Sequence, residues 1–229
     1  MVKIERRETD KTRLAVESLV KEKSKAHGKY NTSEVTKALQ EIFYGKCYIC
    51  ESKQSISEEI DHLIPHEGNL DLKFDWNNLF LACAHCNRIK GNTYTPILDC
   101  TKTDVDEIIS FRKMGYFGTD ESLSFDSVDD TDTRQETIMT CKLLQRVYYG
   151  KTTKEKFGAK KLRKDVRIEL SKFKNYVREY RGATGEDKKD LFSLICKELK
   201  NNSPFTAFKR WIVRDNLDWC SDFMNCWKS

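Results

Sequence analysis

Apolar residues recur at helical spacing near the start of the chain, lose that spacing in the middle, and regain it over the last hundred residues. Residues 9–26 predict a polar helix. Residues 32–44 predict a stronger one, because Val35, Ala38, Leu39, Ile42 and Phe43 form a stripe behind an Asn31/Glu34 pair suited to capping. From Gly45 to Asn92 the helical period vanishes, and short apolar runs such as Leu79 to Ala82 alternate with Cys, His, Asn and Gly. After Pro96, the positions of Ile108, Ile109, Phe111, Tyr116, Phe117, Leu123 and Phe125 predict short strands or a hairpin around Gly115 and Gly118. Beyond Arg134 helices return. Ile138, Cys141, Leu144, Val147 and Tyr148 share one face, and Val166, Leu170, Phe173, Val177 and Tyr180 mark a longer helix after Lys154. A third runs from Lys188 to Lys200, and Ser203 followed by Pro204 predicts the cap and first residue of a last one. The expected divisions are an N-terminal helical segment (1–44), a compact module (45–98), a mixed stretch with an acidic linker (99–133) and a helical C-terminal region (134–229).

Composition narrows the class. With 229 residues, 38% hydrophobic and 34% charged, the chain can bury one good core or two modest ones under a heavily solvated surface. No uncharged run approaches the roughly 20 apolar residues of a membrane span, and MVKIERRETDKTR lacks a signal-peptide core, so a soluble, cytoplasmic protein is expected. The net charge of +5 is too small to establish nucleic-acid binding, so placement matters more than the total. Residues 119–132 hold six acids and no base, which reads as a solvated linker. Residues 151–181 hold twelve basic and four acidic residues, a pattern open to a DNA-contacting helix, the solvated side of a bundle or a partner surface.

Nine cysteines in a chain without an export signal make a poor disulfide framework. Four of them form two CxxC pairs, Cys47/Cys50 and Cys83/Cys86, separated by 32 residues. Two such knuckles can close a tetrahedral Zn²⁺ site that ties distant segments together where the local core is thin. The other five, Cys100, Cys141, Cys196, Cys220 and Cys226, are expected as reduced thiols.

Between the knuckles, IDHLIPHEGNLDLKFDWNNLFLACAHCNRIKGN places Asp61 beside His62, Asn78 before an apolar run and Asn87 directly after the last cysteine. A carboxylate and a carboxamide oxygen are hard ligands suited to Mg²⁺ or Mn²⁺, and a neutral imidazole can take a proton from water near neutral pH. Two different metals are therefore implied.

The segment 45–92, about a fifth of the chain, resembles the HNH (ββα-metal) endonucleases braced by two CxxC knuckles: CYIC, DHLIPH, NNL and CAHCNRIKGN stand in the family's order. The resemblance implies an α+β fold in which the DH pair ends a first strand, the middle Asn precedes a second and the final Asn opens a helix across the hairpin. By the same resemblance His62 is the general base, Asp61 and Asn87 hold the divalent metal, and Asn78 fixes the loop. His66 is open between a turn residue and a contact to phosphate or the metal shell, His85 is expected to face solvent, and Arg88 and Lys90 are open between phosphate contacts and solvated charges. Asp71 and Asp75 are expected on the loop surface.

The implied activity is metal-dependent hydrolysis of DNA phosphodiester bonds. One such centre cuts one strand at a time, so a double-strand break needs sequential nicks or a homodimer. The layout, including a Ser-Pro-Phe segment near the end, also resembles the nuclease subunit of Septu-type antiphage systems, found beside some retrons, which pairs with an ATPase. The chain has no GxxxxGK[ST] phosphate loop, so ATP control would come from that partner. The alternatives are a stand-alone restriction-type HNH enzyme and a zinc-stabilised nucleic-acid-binding or interaction module without catalysis.

Overall fold

A computed structural model gives the fold, described here for residues 1–53, 57–115 and 121–227. Two N-terminal helices, α1 (Asp10–Lys23) and α2 (Ser33–Ile42), pack on each other. In α2 the residues Val35, Ala38, Leu39 and Ile42 are buried, as the stripe predicts. Its cap is Thr32 rather than Asn31: the Thr32 hydroxyl accepts from the Val35 amide at 3.4 Å.

The next elements form a hairpin with a helix across it. Strand β1 (Glu58–His62) runs antiparallel to β2 (Leu79–Cys83), with Asp61 opposite Phe80 and His62 opposite Leu79. Between them lie a short helix α3 (Leu70–Phe74) and a 3-10 turn (Trp76–Asn78). Every residue of β2 is buried, because α2 covers one side of the hairpin and α4 (Ala84–Lys90) the other. This is the expected α+β arrangement.

A short helix α5 (Val105–Ile108) then precedes an antiparallel pair, β3 (Arg112–Met114) and β4 (Ser122–Ser124). The hairpin expectation rested partly on Tyr116, Phe117 and Gly118, which lie outside the described residues, as does Asp120 of the acidic stretch. Within that stretch, Leu123 and Phe125 are buried.

The rest is helical: α6 (Gln135–Tyr149), the 30-residue α7 (Thr153–Gly182), α8 (Gly185–Leu199), α9 (Thr206–Asp215) and α10 (Leu217–Cys220). Helix α9 starts later than the Ser-Pro pattern predicts. Ser203 instead bonds the Glu198 carboxylate and receives the Lys209 ammonium at 3.0 Å, and this buried polar network fixes the turn before the helix. Cys196 and Cys226, expected as separate thiols, are joined by a disulfide that ties α8 to the C-terminal segment. Their thirty-residue separation gives no spacing signal; packing α8 beside the last turn brings them together.

Apolar side chains form one large cluster from Met1 to Trp211 and a smaller one in the C-terminal bundle. Helix α7 contributes to both: Leu162, Val166 and Leu170 enter the first, and Phe173, Val177 and Tyr180 the second.

The first knuckle is anchored to α9 by buried charges. Lys46 Nζ lies 3.1 Å from Glu51 and donates to the Asn201 carbonyl, while Glu51 accepts from the Ala207 amide at 2.9 Å. Burial opposes the Glu51 carboxylate, but Lys46, the Met1 ammonium and the Ala207 amide outweigh it and hold its pKa at about 2 against an ordinary 4.5. A lowered carboxylate pKa stabilises the folded state above the unfolded value, and that contribution is lost as pH falls from 4.5 towards 2. The shift alone corresponds to about 3 kcal/mol, and the burial that pulls Lys46 below its own ordinary value makes the net smaller. Urea midpoints measured across this window should fall with acid, and less steeply in Glu51→Gln; parallel slopes would refute the assignment.

Candidate functional site

The two CxxC pairs meet. All four Sγ atoms, buried, lie within 4.8 Å of one another, and those of Cys50 and Cys83 are 3.9 Å apart. A tetrahedral zinc with Zn–S bonds of about 2.3 Å requires sulfur separations of about 3.8 Å, so the cage has the dimensions of that ion. The second knuckle grows out of the fold itself, because β2 ends at Cys83, whose sulfur caps α4 by accepting from the Cys86 amide.

Strand alternation divides the neighbouring residues into two groups. Glu59 and Asp61 point towards α4, where Asn87 and Lys90 meet them one for one. Asp61 is buried; its Oδ2 accepts from the Tyr48 hydroxyl at 2.6 Å, and its Oδ1 lies 3.2 Å from Lys90 Nζ. Burial pushes the Asp61 carboxyl above its ordinary range, while Lys90 and Tyr48 pull the other way. Lys90 is buried too and also donates to the His62 carbonyl at 2.6 Å. It belongs to the interior of the module, in contrast to both roles left open for it.

Asn87 meets Glu59 rather than Asp61: its Nδ2 donates to Glu59 Oε2 at 2.7 Å. An ionised carboxylate only accepts, so this contact fixes the amide with its nitrogen towards Glu59 and its Oδ1 turned away as an available ligand. Glu59 was not anticipated from the sequence, although its position two residues before Asp61 on a strand places both on one face. A cavity of 250 Å³ opens beside Glu59 and Asn87 and is walled by Tyr30. Glu59 and Asn87 bring hard oxygen donors to this cavity, whereas Asp61 lies outside its lining with both oxygens engaged by Tyr48 and Lys90, so the two residues expected to share a divalent metal are not joined by a direct contact.

His62 lies on the other side of the strand end. Its Nε2 is 3.0 Å from the Lys73 carbonyl, and its ring packs edge-on against Tyr30 (centroids 4.5 Å apart) and against His66 (4.7 Å). A carbonyl has no proton to give, so Nε2 carries the hydrogen and the neutral ring presents its lone pair at Nδ1. Burial lowers the His62 pKa, as do the nearby charges of His66, Lys90 and Lys73. His66 has a turn role, accepting from the Gly68 amide at 3.2 Å, and also touches the His62 ring. Tyr30 carries no sequence signal for its place against His62.

Asn78 is buried and braces the loop, accepting from the Ile64 amide and donating to the carbonyls of Ile64 and Leu72. Asp71 and Asp75 are exposed, Asp71 paired with Lys23 and Asp75 capping the 3-10 turn. Arg88 is exposed on α4. His85, expected to face solvent, is half-buried and docks the module onto the helical region: its Nε2 bonds the Val147 carbonyl at 2.8 Å, and its ring fills the space a Cβ at Gly158 would take. A glycine inside α7, normally costly there, is explained by this approach.

Residues 47–93 match the HNH endonuclease family. The HNH module is thus the part of the chain that holds the sulfur cage, the Asp61–His62 pair and α4. A curated relative, Septu protein PtuB of Bacillus mycoides (strain KBAB4), is 34% identical over 83 residues. That stretch covers 30% of this chain and 28% of the relative, so the match spans under a third of the relative's length. No solved structure matches the chain. Among the described residues no helix is long and apolar enough to cross a membrane.

Proposed function

We propose that the protein is a divalent-metal-dependent endonuclease that hydrolyses DNA phosphodiester bonds as the nuclease component of an antiphage defence system. The HNH module carries the activity, and the likeness to a Septu protein carries the biological setting. In this reading Zn²⁺ fills the four-cysteine cage and is structural. Asp61 and Asn87 hold Mg²⁺ or Mn²⁺, which when bound neutralises phosphate charge and stabilises the leaving 3′ oxygen.

The observation that supports the mechanism most directly is the Nε2–Lys73 contact. It leaves His62 Nδ1 as the atom that accepts a proton from the attacking water, and Tyr30 and His66 hold the ring in that orientation. Asn78 keeps the loop between His62 and β2 in shape. An ATPase partner supplies any nucleotide control, and paired protomers or successive nicks supply double-strand cleavage. The test is nicking of supercoiled DNA with and without Mg²⁺, repeated with a Septu-type ATPase added if the isolated chain is silent; no cleavage under either condition would overturn the reading.

Glu59 acts through Asn87 as a positioning residue. Removing such outer contacts costs about 10–100-fold in metal affinity, so Glu59→Ala should weaken Mn²⁺ binding by that factor in a calorimetric titration, with the zinc content unchanged. Native affinity in the variant would remove Glu59 from the site.

A further inference from the structure

The longest helix carries a second pattern beside its buried stripe. Phe157, Lys160, Lys164, Arg167, Ser171, Lys174, Arg178 and Arg181 follow one another at alternating intervals of three and four residues, which places them on a single line along α7. At 1.5 Å per residue the line is about 36 Å long. It contains no acid.

Two cavities open along this line. One of 600 Å³ is lined by Lys160, Lys164 and Arg167, the other of 730 Å³ by Lys174, Arg178 and Arg181, and Lys113 of β3 borders both. Among the described residues each cavity has a single acid in its lining, matched by a cation: Glu121 by Lys113 and Arg167, Asp215 by Arg112. Among the described residues no ion pair joins Lys160, Lys164, Arg178 or Arg181 to an acid, so these four give the line surplus positive charge. Burial, and then the charges of Lys113 and Arg178, hold Lys174 below its ordinary pKa, as expected where cations crowd.

Aromatic rings stand at both ends. Phe157 is 78% exposed, an unusual position for a phenyl ring, and Trp219, 55% exposed, lies under the Arg181 guanidinium at 5.4 Å. The Phe157 end starts where α7 crosses the nuclease helix, because the adjacent Gly158 is the residue packed on His85 of α4. Cations in a groove with flat rings for stacking are the elements of a surface that tracks a single nucleic-acid strand.

We infer that this face of α7 binds a strand of nucleic acid, phosphates along the cationic line and bases against Phe157 and Trp219, and leads it to α4. The inference deepens the nuclease reading and rests on it for the identity of the strand as substrate. An acidic protein is the competing occupant, and the exposed rings favour the strand.

The test uses the full chain without added Mg²⁺ or Mn²⁺, so that binding is read without cleavage and the structural zinc is kept. Anisotropy of a fluorescein-labelled 20-nucleotide DNA, single-stranded and as a duplex, is followed from 50 to 200 mM KCl. The variant Lys160→Gln/Lys164→Gln/Arg178→Gln is compared with Lys188→Gln/Lys189→Gln/Lys197→Gln, which removes the same charge from α8. Each lost phosphate contact flattens the slope of log affinity against log salt by about 0.7 for a single strand or 0.9 for a duplex. The first variant should therefore lose about 2 units of slope on single-stranded DNA, making it about 20-fold less salt-sensitive over this range, while the α8 variant keeps the native slope. Phe157→Ala should weaken the single strand more than the duplex. Equal slopes in the two triple variants, or no binding of either DNA by the native chain, would overturn the inference. His62→Ala separates the two ideas: it should bind as the native chain does, so cleavage with an unimportant α7 line refutes only this inference, and binding along α7 without cleavage refutes only the nuclease reading.

Discussion

Cys47→Ser is expected to release zinc and unfold the HNH module. The hairpin has only two strands, and besides the sulfur cage the first knuckle is joined to it through Tyr48, whose amide bonds the Leu81 carbonyl, whose hydroxyl bonds Asp61 and whose ring packs on Phe80. A structural zinc of this kind contributes on the order of 10 kcal/mol of apparent folding free energy in small domains, more than a marginal module can lose. The effect spreads because Glu51, one residue beyond the knuckle, is buried against Lys46 and the start of α9. Released zinc measured with a chromogenic chelator, together with amide exchange over residues 57–93, checks this. A Cys47→Ser protein that keeps its zinc and its protection would contradict the bracing role.

His62→Ala should lower Mg²⁺-dependent nicking of supercoiled DNA by about 10²–10⁴-fold, the usual contribution of a positioned general base. Helicity and zinc content should stay intact, because among the described residues the His62 side chain bonds only the Lys73 carbonyl. His66→Ala, which removes a ring contact and a turn bond, should cost far less. If the two variants lose activity equally, the proton acceptor is not Nδ1 of His62.

The sequence made the module legible because its chemistry imposes spacing: two CxxC knuckles and an Asp-His pair have few other uses. Helices with long apolar stripes, such as α2 and α7, were equally clear. Short elements were harder. Arg88 and Lys90 look alike as charges, yet Lys90 lies four residues after Cys86 and seven after Cys83, on the face of α4 that the cage buries. His85 was misjudged because its partner is sixty residues or more away, and the glycine at 158 was the only trace of that contact. The Ser-Pro pattern before α9 was overridden by the Lys209 network, in which a buried ammonium demanded Glu198 and Ser203 as neighbours. Glu59 carries no motif letter, and only the pleat of β1 pairs it with Asp61.

Helix α7 runs unbroken through both hydrophobic clusters and touches α4 at Gly158. It therefore joins the packing of the C-terminal bundle to that of the HNH module in one continuous element.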